Sequence, residues 1–263
     1  MKKIESAANP RFKLLRQLVD SSRERKKAGL TVLDGIHLVQ AYQTGIGAPE
    51  EIWVSAKGSE NSEIKQILNK IPSSQVLLLG DSQFDQLSQL AAPTGVIAVV
   101  KTPRPRPVPA DMTACVLLED IQDPGNLGSI LRSAAAAGVR HVLLSKNSVH
   151  AWSPRVLRAG MGSHFMIEIH EQADLFAIVK AFKGRVIATN RSAPRSLYDC
   201  DLGGKVALLF GNEGGGLSRP LREAAHDEVS IPMPGGVESL NVGAAVAVCL
   251  FERVRQLAVS GKR

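Results

Sequence analysis

The chain is short of aromatic residues, of cysteine and of long apolar runs, and each shortage closes off a class of protein. Two Trp, two Tyr and seven Phe make up 4% of 263 residues, too few for an exposed platform on which single-stranded bases stack. The three cysteines, Cys115, Cys200 and Cys249, are odd in number and widely separated. They give neither a disulfide framework nor a paired-cysteine metal site, and a reducing compartment suits them best. The six histidines add no metal-ligand spacing. The longest apolar run, Val242 to Phe251, is half of the ~20 residues needed to span a bilayer. MKKIESAANP begins with basic residues but has no apolar stretch behind them, unlike a secretory signal. A soluble, cytoplasmic chain with no membrane partner is the expectation. Two phosphate-binding fingerprints are missing as well, since no GxGxxG follows a strand and no Gly-Lys-Ser/Thr closes a glycine-rich loop.

What is present is a hydrophobic fraction of 44%, ordinary for a folded protein, and a formal net charge of +7, which favours an anionic partner. The surplus is local: up to Lys27, nine Lys and Arg stand against three acidic residues. Such a cluster is either a solvated helical face or a set of phosphate contacts. A chain of this length is expected to form two domains of unequal size. KTPRPRPVPADM, residues 101–112, carries proline at 103, 105, 107 and 109. Repeated proline removes backbone donors and favours an extended, semi-rigid path. The expected organisation is therefore a first domain over 1–102, a linker over 103–112 and a second domain over 113–263.

In the first domain, an amphipathic helix over Arg11 to Lys27 leads into an alternation of strands (LTVLDG, EEIWVS, QVLLL, GVIAVV) and helices (IHLVQAYQTG, SEIKQILNK, DSQFDQLSQL). This alternation implies a small sheet covered by helices. In the second domain the strands are CVLLED, HVLLS, FMIEIH, RVIATN, KVALLFG and EVSIPM. Their continuous apolar runs, without period-two alternation, indicate parallel strands buried on both faces.

Ligands of an open parallel sheet gather in the loops after the carboxyl ends of strands, and three such segments are unusual. In LLEDIQDPGNLGSILRSAAAAGV (117–139), an acid-rich strand end and a Pro-Gly turn precede Asn126, which sits where an N-cap is expected; Arg132 follows within a helix of small residues. Taken alone, Arg132 is a surface arginine. In ALLFGNEGGGLS (207–218), a strand runs into Gly211, Asn212, Glu213 and three more glycines, so the backbone can approach a ligand closely; alone, this is an ordinary glycine-rich turn. IPMPGGVESLNVGAAVAVCLFE (231–252) opens an almost wholly apolar helix with Glu238, Ser239 and Asn241. Ser239 can serve as an N-cap, but a buried polar group without a partner costs about 1–3 kcal/mol, so the other two call for a further role.

In this order, the three segments resemble the signature motifs of the SpoU-type (TrmH-like) RNA 2′-O-ribose methyltransferases of the SPOUT superfamily. The matching stretches are N-L-G-x-x-x-R from Asn126 to Arg132, F-G-N-E-G-x-G from Phe210 to Gly216, and I-P-M-x-G-x-x-x-S-L-N-V from Ile231 to Val242. The resemblance covers 113–257. It extends less specifically to NPRFKLLRQLVDSSRERKKAGLTVLDGIHLV, which is similar to the substrate-binding domain these enzymes often carry. One departure is Gly243, where many relatives have Ser or Ala.

The resemblance implies an α/β fold: a C-terminal trefoil-knotted, parallel-sheet SPOUT domain with a smaller N-terminal L30e-like domain that binds RNA. It implies S-adenosyl-L-methionine as cofactor, held by backbone groups at Gly211, Ile231 and Leu240, with no metal. It assigns the catalytic site to Asn126, Arg132, Glu213, Ser239 and Asn241. Asn126 and Asn241 would orient the ribose, Glu213 would fix the Arg132 guanidinium, and Ser239 would hydrogen-bond to the target nucleotide. Arg132 is either the base that takes the 2′-proton or an electrostatic clamp on the developing alkoxide and a neighbouring phosphate. A guanidinium normally stays protonated in proteins, so the clamp is an equally economical role. The implied substrate is RNA, with 23S rRNA preferred. A tRNA substrate and a non-catalytic RNA-binding assembly factor are the alternatives. A homodimer is implied too, with the apolar stripe Val246, Leu250 and Val254 as a surface to be covered.

Overall fold

The computed structural model of the chain describes residues 1–104 and 106–261. In chain order, its first stretch comprises β1 (Lys2–Lys3), α1 (Pro10–Asp20), α2 (Ser22–Ala28), β2 (Leu30–Asp34), α3 (Ile36–Gly45), β3 (Glu51–Ser55), α4 (Ser62–Leu68), β4 (Val76–Leu79), α5 (Asp81–Asp85) and β5 (Val96–Lys101). Then follow β6 (Ala114–Leu118), α6 (Pro124–Ala136), β7 (His141–Leu144), α7 (Pro154–Gly160), β8 (Glu168–His170), α8 (Leu175–Ala181), β9 (Arg185–Thr189), β10 (Val206–Phe210), α9 (Arg219–Ala224), β11 (Asp227–Val229) and α10 (Val242–Val259). Between β5 and β6 the described residues form no helix or strand; Pro105, one of the alternating prolines, lies outside the described residues.

The chain divides into two compact units. The first holds Met1–Arg104 together with Trp152–Phe165, and the second holds the rest. Trp152–Phe165 falls within 113–263 by sequence position, yet it clusters with the first unit. Its buried Trp152, Val156 and Leu157 and a hydrogen bond from Thr31 Oγ1 to the Trp152 carbonyl (2.6 Å) account for that.

The sheet of the first unit has the order β1-β4-β3-β5-β2, with β5 antiparallel to both neighbours and the other pairs parallel. Phe12, Leu15 and Leu18 of α1 pack with Trp53, Leu77, Phe84 and Ile97 in one core. The single helix expected over Arg11 to Lys27 is two helices. Ser21 breaks it by adopting an extended conformation (φ −122°, ψ 117°), and its hydroxyl then accepts the Glu24 N–H to cap α2. Two of the nine early basic residues serve the fold. Arg11 pairs with Glu51 at 2.8 Å, and buried Arg25 donates to the carbonyls of Leu18 and Val19 at the end of α1. Lys13, Arg16, Arg23, Lys26 and Lys27 are exposed.

The sheet of the second unit is six-stranded and wholly parallel, in the order β11-β9-β10-β6-β7-β8. All five residues of β10 are buried, as continuous apolar runs require of central parallel strands. Burial pushes the Cys115 and Cys249 thiols up to about 12, which makes them inert apolar fillers. The last helix, α10, packs on α6 and β10. Gly243 lies at this contact, where a Cβ would stand 3.3 Å from Ser129 Oγ of α6. The stripe expected to seek a partner is displaced. Val246 and Leu250 are buried within the unit, and the exposed apolar positions of α10 include Ala244, Phe251 and Val254, beside half-buried Ala247 and Val248.

Candidate active site

A cavity of about 470 Å³ opens at the carboxyl ends of β9, β10 and β11. Its wall combines apolar side chains, among them Phe210, Leu217, Val229 and Val242, with Asn126, Glu213, Ser239 and Asn241, and with Gly211, Ile231 and Leu240. Of the eight residues singled out from the sequence, only Arg132 is not on it.

Local sequence explains the placement. Asn126 is not the N-cap of α6. That role belongs to Asp123, whose carboxylate accepts the Asn126 N–H at 2.7 Å, with Pro124 in the first helical position, where its missing N–H costs nothing. The Asn126 amide is thus released from capping. Its Nδ2 donates to Glu213 Oε1 at 3.1 Å, and its Oδ1 accepts from Asn241 Nδ2 at 2.7 Å. Asn241, not Ser239, caps α10, and its Oδ1 accepts the N–H groups of Gly243 and Ala244. One asparagine therefore starts a helix and joins a polar relay.

Glu213 does not contact Arg132. Its carboxylate accepts the backbone N–H groups of Gln122 (3.2 Å) and Asp123 (3.1 Å) in addition to the Asn126 amide. Burial alone would raise this carboxyl, but the hydrogen bonds from Asn126, its own backbone N–H, Asp123 and Gln122 outweigh burial and hold it below its ordinary value. Arg132 is exposed on α6 and has no hydrogen-bond or ion-pair partner among the described residues.

The glycine-rich loop turns back on itself: Asn212 and Gly216 exchange backbone hydrogen bonds, and the Asn212 side chain accepts from Gly214 and Gly215. Gly211 is obligatory, since a Cβ there would stand 2.1 Å from the Gly216 backbone. Among the described residues, no backbone hydrogen bond engages Gly211, Ile231 or Leu240. Free backbone groups among apolar side chains suit a ligand with an apolar body and a polar edge, and the cavity has the size of small-molecule sites.

Sequence patterns missed Thr189 at the end of β9, Asn190 and Arg191 after it, and Arg222 of α9, all of which line the cavity. Glu228 holds two of them, accepting from Asn190 Nδ2 at 2.8 Å and Arg222 Nε at 3.4 Å. The rule that ligands gather beyond strand ends would have flagged the loop after β9, because RVIATN ends in polar residues.

Residues 113–251 match the family model described as the SpoU rRNA Methylase family, and residues 9–98 match an MRM3-like substrate binding domain. The chain is 34% identical to the 23S rRNA (guanosine-2′-O-)-methyltransferase RlmB of Escherichia coli, over 84% of this chain and 97% of the relative. It is 30% identical to the 23S rRNA (guanosine(2553)-2′-O)-methyltransferase RlmP of Bacillus subtilis, over 95% and 98%. Among solved structures, the SpoU methyltransferase AviRb of Streptomyces viridochromogenes in complex with AdoMet superposes with a TM-score of 0.84 at 26% identity, covering 95% of this chain and 98% of AviRb.

Proposed function

The chain belongs to the SpoU rRNA methylase family, and from that premise we propose that it is an S-adenosylmethionine-dependent methyltransferase acting on a ribose 2′-hydroxyl of 23S rRNA. The observation that carries the reading is the relay Glu213–Asn126–Asn241 on the wall of a cavity bounded by unpartnered backbone at Gly211, Ile231 and Leu240. The two relatives named for 23S rRNA guanosines favour rRNA over tRNA. A non-catalytic binder would have no use for an intact relay.

When bound, S-adenosylmethionine supplies an electrophilic methyl group. The residues present fit it: Phe210, Leu217, Val229 and Val242 supply apolar lining, and the backbone groups of Gly211, Ile231 and Leu240 would hydrogen-bond to its polar edges. Asn126 and Asn241 orient the ribose, Glu213 holds Asn126 in direction, and Ser239 reaches the target nucleotide. Positioning of this kind supplies several kcal/mol. As the 2′-proton leaves to solvent water, the protonated guanidinium of Arg132 stabilises the developing alkoxide, and loss of such a donor costs about 3 kcal/mol.

Arg132 stands outside its own chain's cavity, so we place it in the site of a second copy. The apolar positions Ala244, Phe251 and Val254 of α10 form the surface that pairs the subunits. We read the passage of residues 231–241 back to α6 after β11 as the trefoil threading of the SPOUT fold. The first unit binds the RNA through Lys13, Arg16, Arg23, Lys26 and Lys27, and the enzyme works in the cytoplasm.

The test is transfer of tritium from labelled S-adenosylmethionine to total rRNA and to total tRNA from a strain lacking the gene. Incorporation into rRNA, lost in Arg132→Ala, is expected. Incorporation into tRNA alone would move the substrate; no incorporation and no cofactor binding would leave the non-catalytic reading.

A further inference from the structure

Asp120 lies at the carboxyl end of β6 with a φ of +54°, a region that residues with a Cβ seldom occupy. Two other non-glycine residues share a positive φ among the described residues. Met161 ends α7 and Gln172 lies in the turn after β8, so neither belongs to the loop that leads to Asn126. Every polar group of Asp120 is engaged. Its N–H donates to Ser145 Oγ at 2.8 Å, and its Oδ1 accepts the Ser145 hydroxyl at 2.5 Å. Its Oδ2 accepts from Asn147 Nδ2 at 3.2 Å. Its carbonyl accepts from Asn212 Nδ2 at 2.8 Å and from Gln122 Nε2 at 3.4 Å.

These partners come from three different loops. Ser145 and Asn147 follow β7, Asn212 begins the glycine-rich loop after β10, and Gln122 belongs to the loop after β6. Asn212, so anchored, accepts the N–H groups of Gly214 and Gly215 at the cavity wall. Two and three residues beyond Asp120, the N–H groups of Gln122 and Asp123 point at the Glu213 carboxylate, and Asp123 caps α6 one turn before Asn126 closes on it. Aspartate tolerates a left-handed backbone because its short side chain can hydrogen-bond locally. Such a conformation persists only where its surroundings over-determine it, and it concentrates at functional sites.

We propose that Asp120 is a positioning residue for methyl transfer: by locking the loops after β6, β7 and β10 together, it sets the direction of Glu213 and, through it, of Asn126 and Asn241. Asp120 does not line the cavity and touches no substrate. The inference rests on the reading of the cavity as the methyl-transfer site.

Three substitutions test it. Asp120→Gly leaves the left-handed backbone free of cost and deletes the carboxylate. Ser145→Ala cuts the same tether from its other end. Asp120→Asn retains both the tolerance of a positive φ and an acceptor for Ser145. With saturating cofactor and RNA, kcat is expected to fall at least about tenfold in Asp120→Gly and in Ser145→Ala, because small misplacements of reacting groups cost that much. The double variant should fall by less than the product of the two losses, since both changes break the bond between the Ser145 hydroxyl and the Asp120 carboxylate. Asp120→Asn should recover to within about threefold of the wild type, and KM for RNA should not move in any of them. Unchanged kcat in Asp120→Gly overturns the proposal. So does a loss that disappears on cooling to where the variant is as folded as the wild type, which would mark a structural staple only. A wild-type protein that transfers no methyl group would defeat the underlying reading of the cavity, and this is seen before any substitution is made.

Discussion

The side-chain amide of Asn241 donates to the side-chain carbonyl of Asn126 across 2.7 Å, joining residues 115 positions apart in the chain. The same Asn241 uses its other amide atom to cap α10, so one side chain serves a helix start and the site together. The two roles can be separated. Asn241→Asp keeps an oxygen for the Gly243 and Ala244 N–H groups and adds a negative charge at a helix N-terminus, where it is favoured. It removes the donor to Asn126. Thermal stability should be unchanged or slightly raised, while kcat/KM falls at least about tenfold, or 1.4 kcal/mol. Asn241→Ala, lacking both functions, should in addition lose ~1 kcal/mol of stability to the missing cap. Calorimetric unfolding and methyl-transfer kinetics on the two variants measure the difference; equal rates for Asn241→Asp and wild type would remove the relay from the mechanism.

Glu213 carries a pH signature. Burial would raise its carboxyl, but the hydrogen bonds from Asn126, its own backbone, Asp123 and Gln122 prevail, so it titrates below the ordinary 4.5. A group with a depressed folded value contributes stability above its unfolded value and loses it as pH falls through the folded one. Wild type should therefore lose part of its advantage over Glu213→Gln below about pH 4.5, by a small amount because the residue is exposed. Melting temperatures of both proteins across that range test it, and parallel curves would contradict the hydrogen-bond pattern.

Much of this site was legible because its chemistry sits in loops after strands, where local sequence is distinctive. Gly211, Glu213 and Asn241 are unusual neighbours for apolar runs. What stayed hidden depends on register and on the order of strands. Asn126 looks like a cap until Pro124 fixes the first helical position and gives the cap to Asp123. The break at Ser21 is invisible because the charged stretch on either side keeps a helical pattern. The order β11-β9-β10-β6-β7-β8 has no trace in six similar apolar runs, and with it went Thr189, Asn190 and Arg191. Nor could spacing show that Val246 and Leu250 face inward while Phe251 faces out, since α10 is apolar nearly all round.

The exposed basic residues of α1 and α2 predict a salt dependence. Every phosphate that a Lys or Arg neutralises steepens the fall of log K with log salt by about 0.7–0.9. Replacing Lys13, Arg23 and Lys26 together by Gln should weaken RNA binding and reduce the slope by about two to three, with cofactor affinity intact. Arg11→Gln and Arg25→Gln should instead lower stability, because those guanidiniums hold Glu51 and the end of α1. Binding isotherms at several salt concentrations separate the two sets, and an unchanged slope would move the RNA-binding surface to another face.

The exposure of Arg132 is the sharpest constraint on assembly. A guanidinium outside its own chain's cavity can serve catalysis only if RNA draws it in or a second copy brings it to a neighbouring site. Arg132→Ala and Glu213→Ala should each be inactive alone. In a dimer that shares residues between subunits, a mixed dimer of the two variants contains one site with both defects and one with none. Random pairing at equal amounts then restores about a quarter of wild-type activity. If Arg132 serves its own chain, every site in the mixture carries one defect and nothing is restored. Mixing the variants after reversible dissociation, with methyl transfer as the readout, decides between the two arrangements. Phe251→Asp, which puts a charge on the exposed face of α10, should abolish the restoration by preventing the pairing on which it depends.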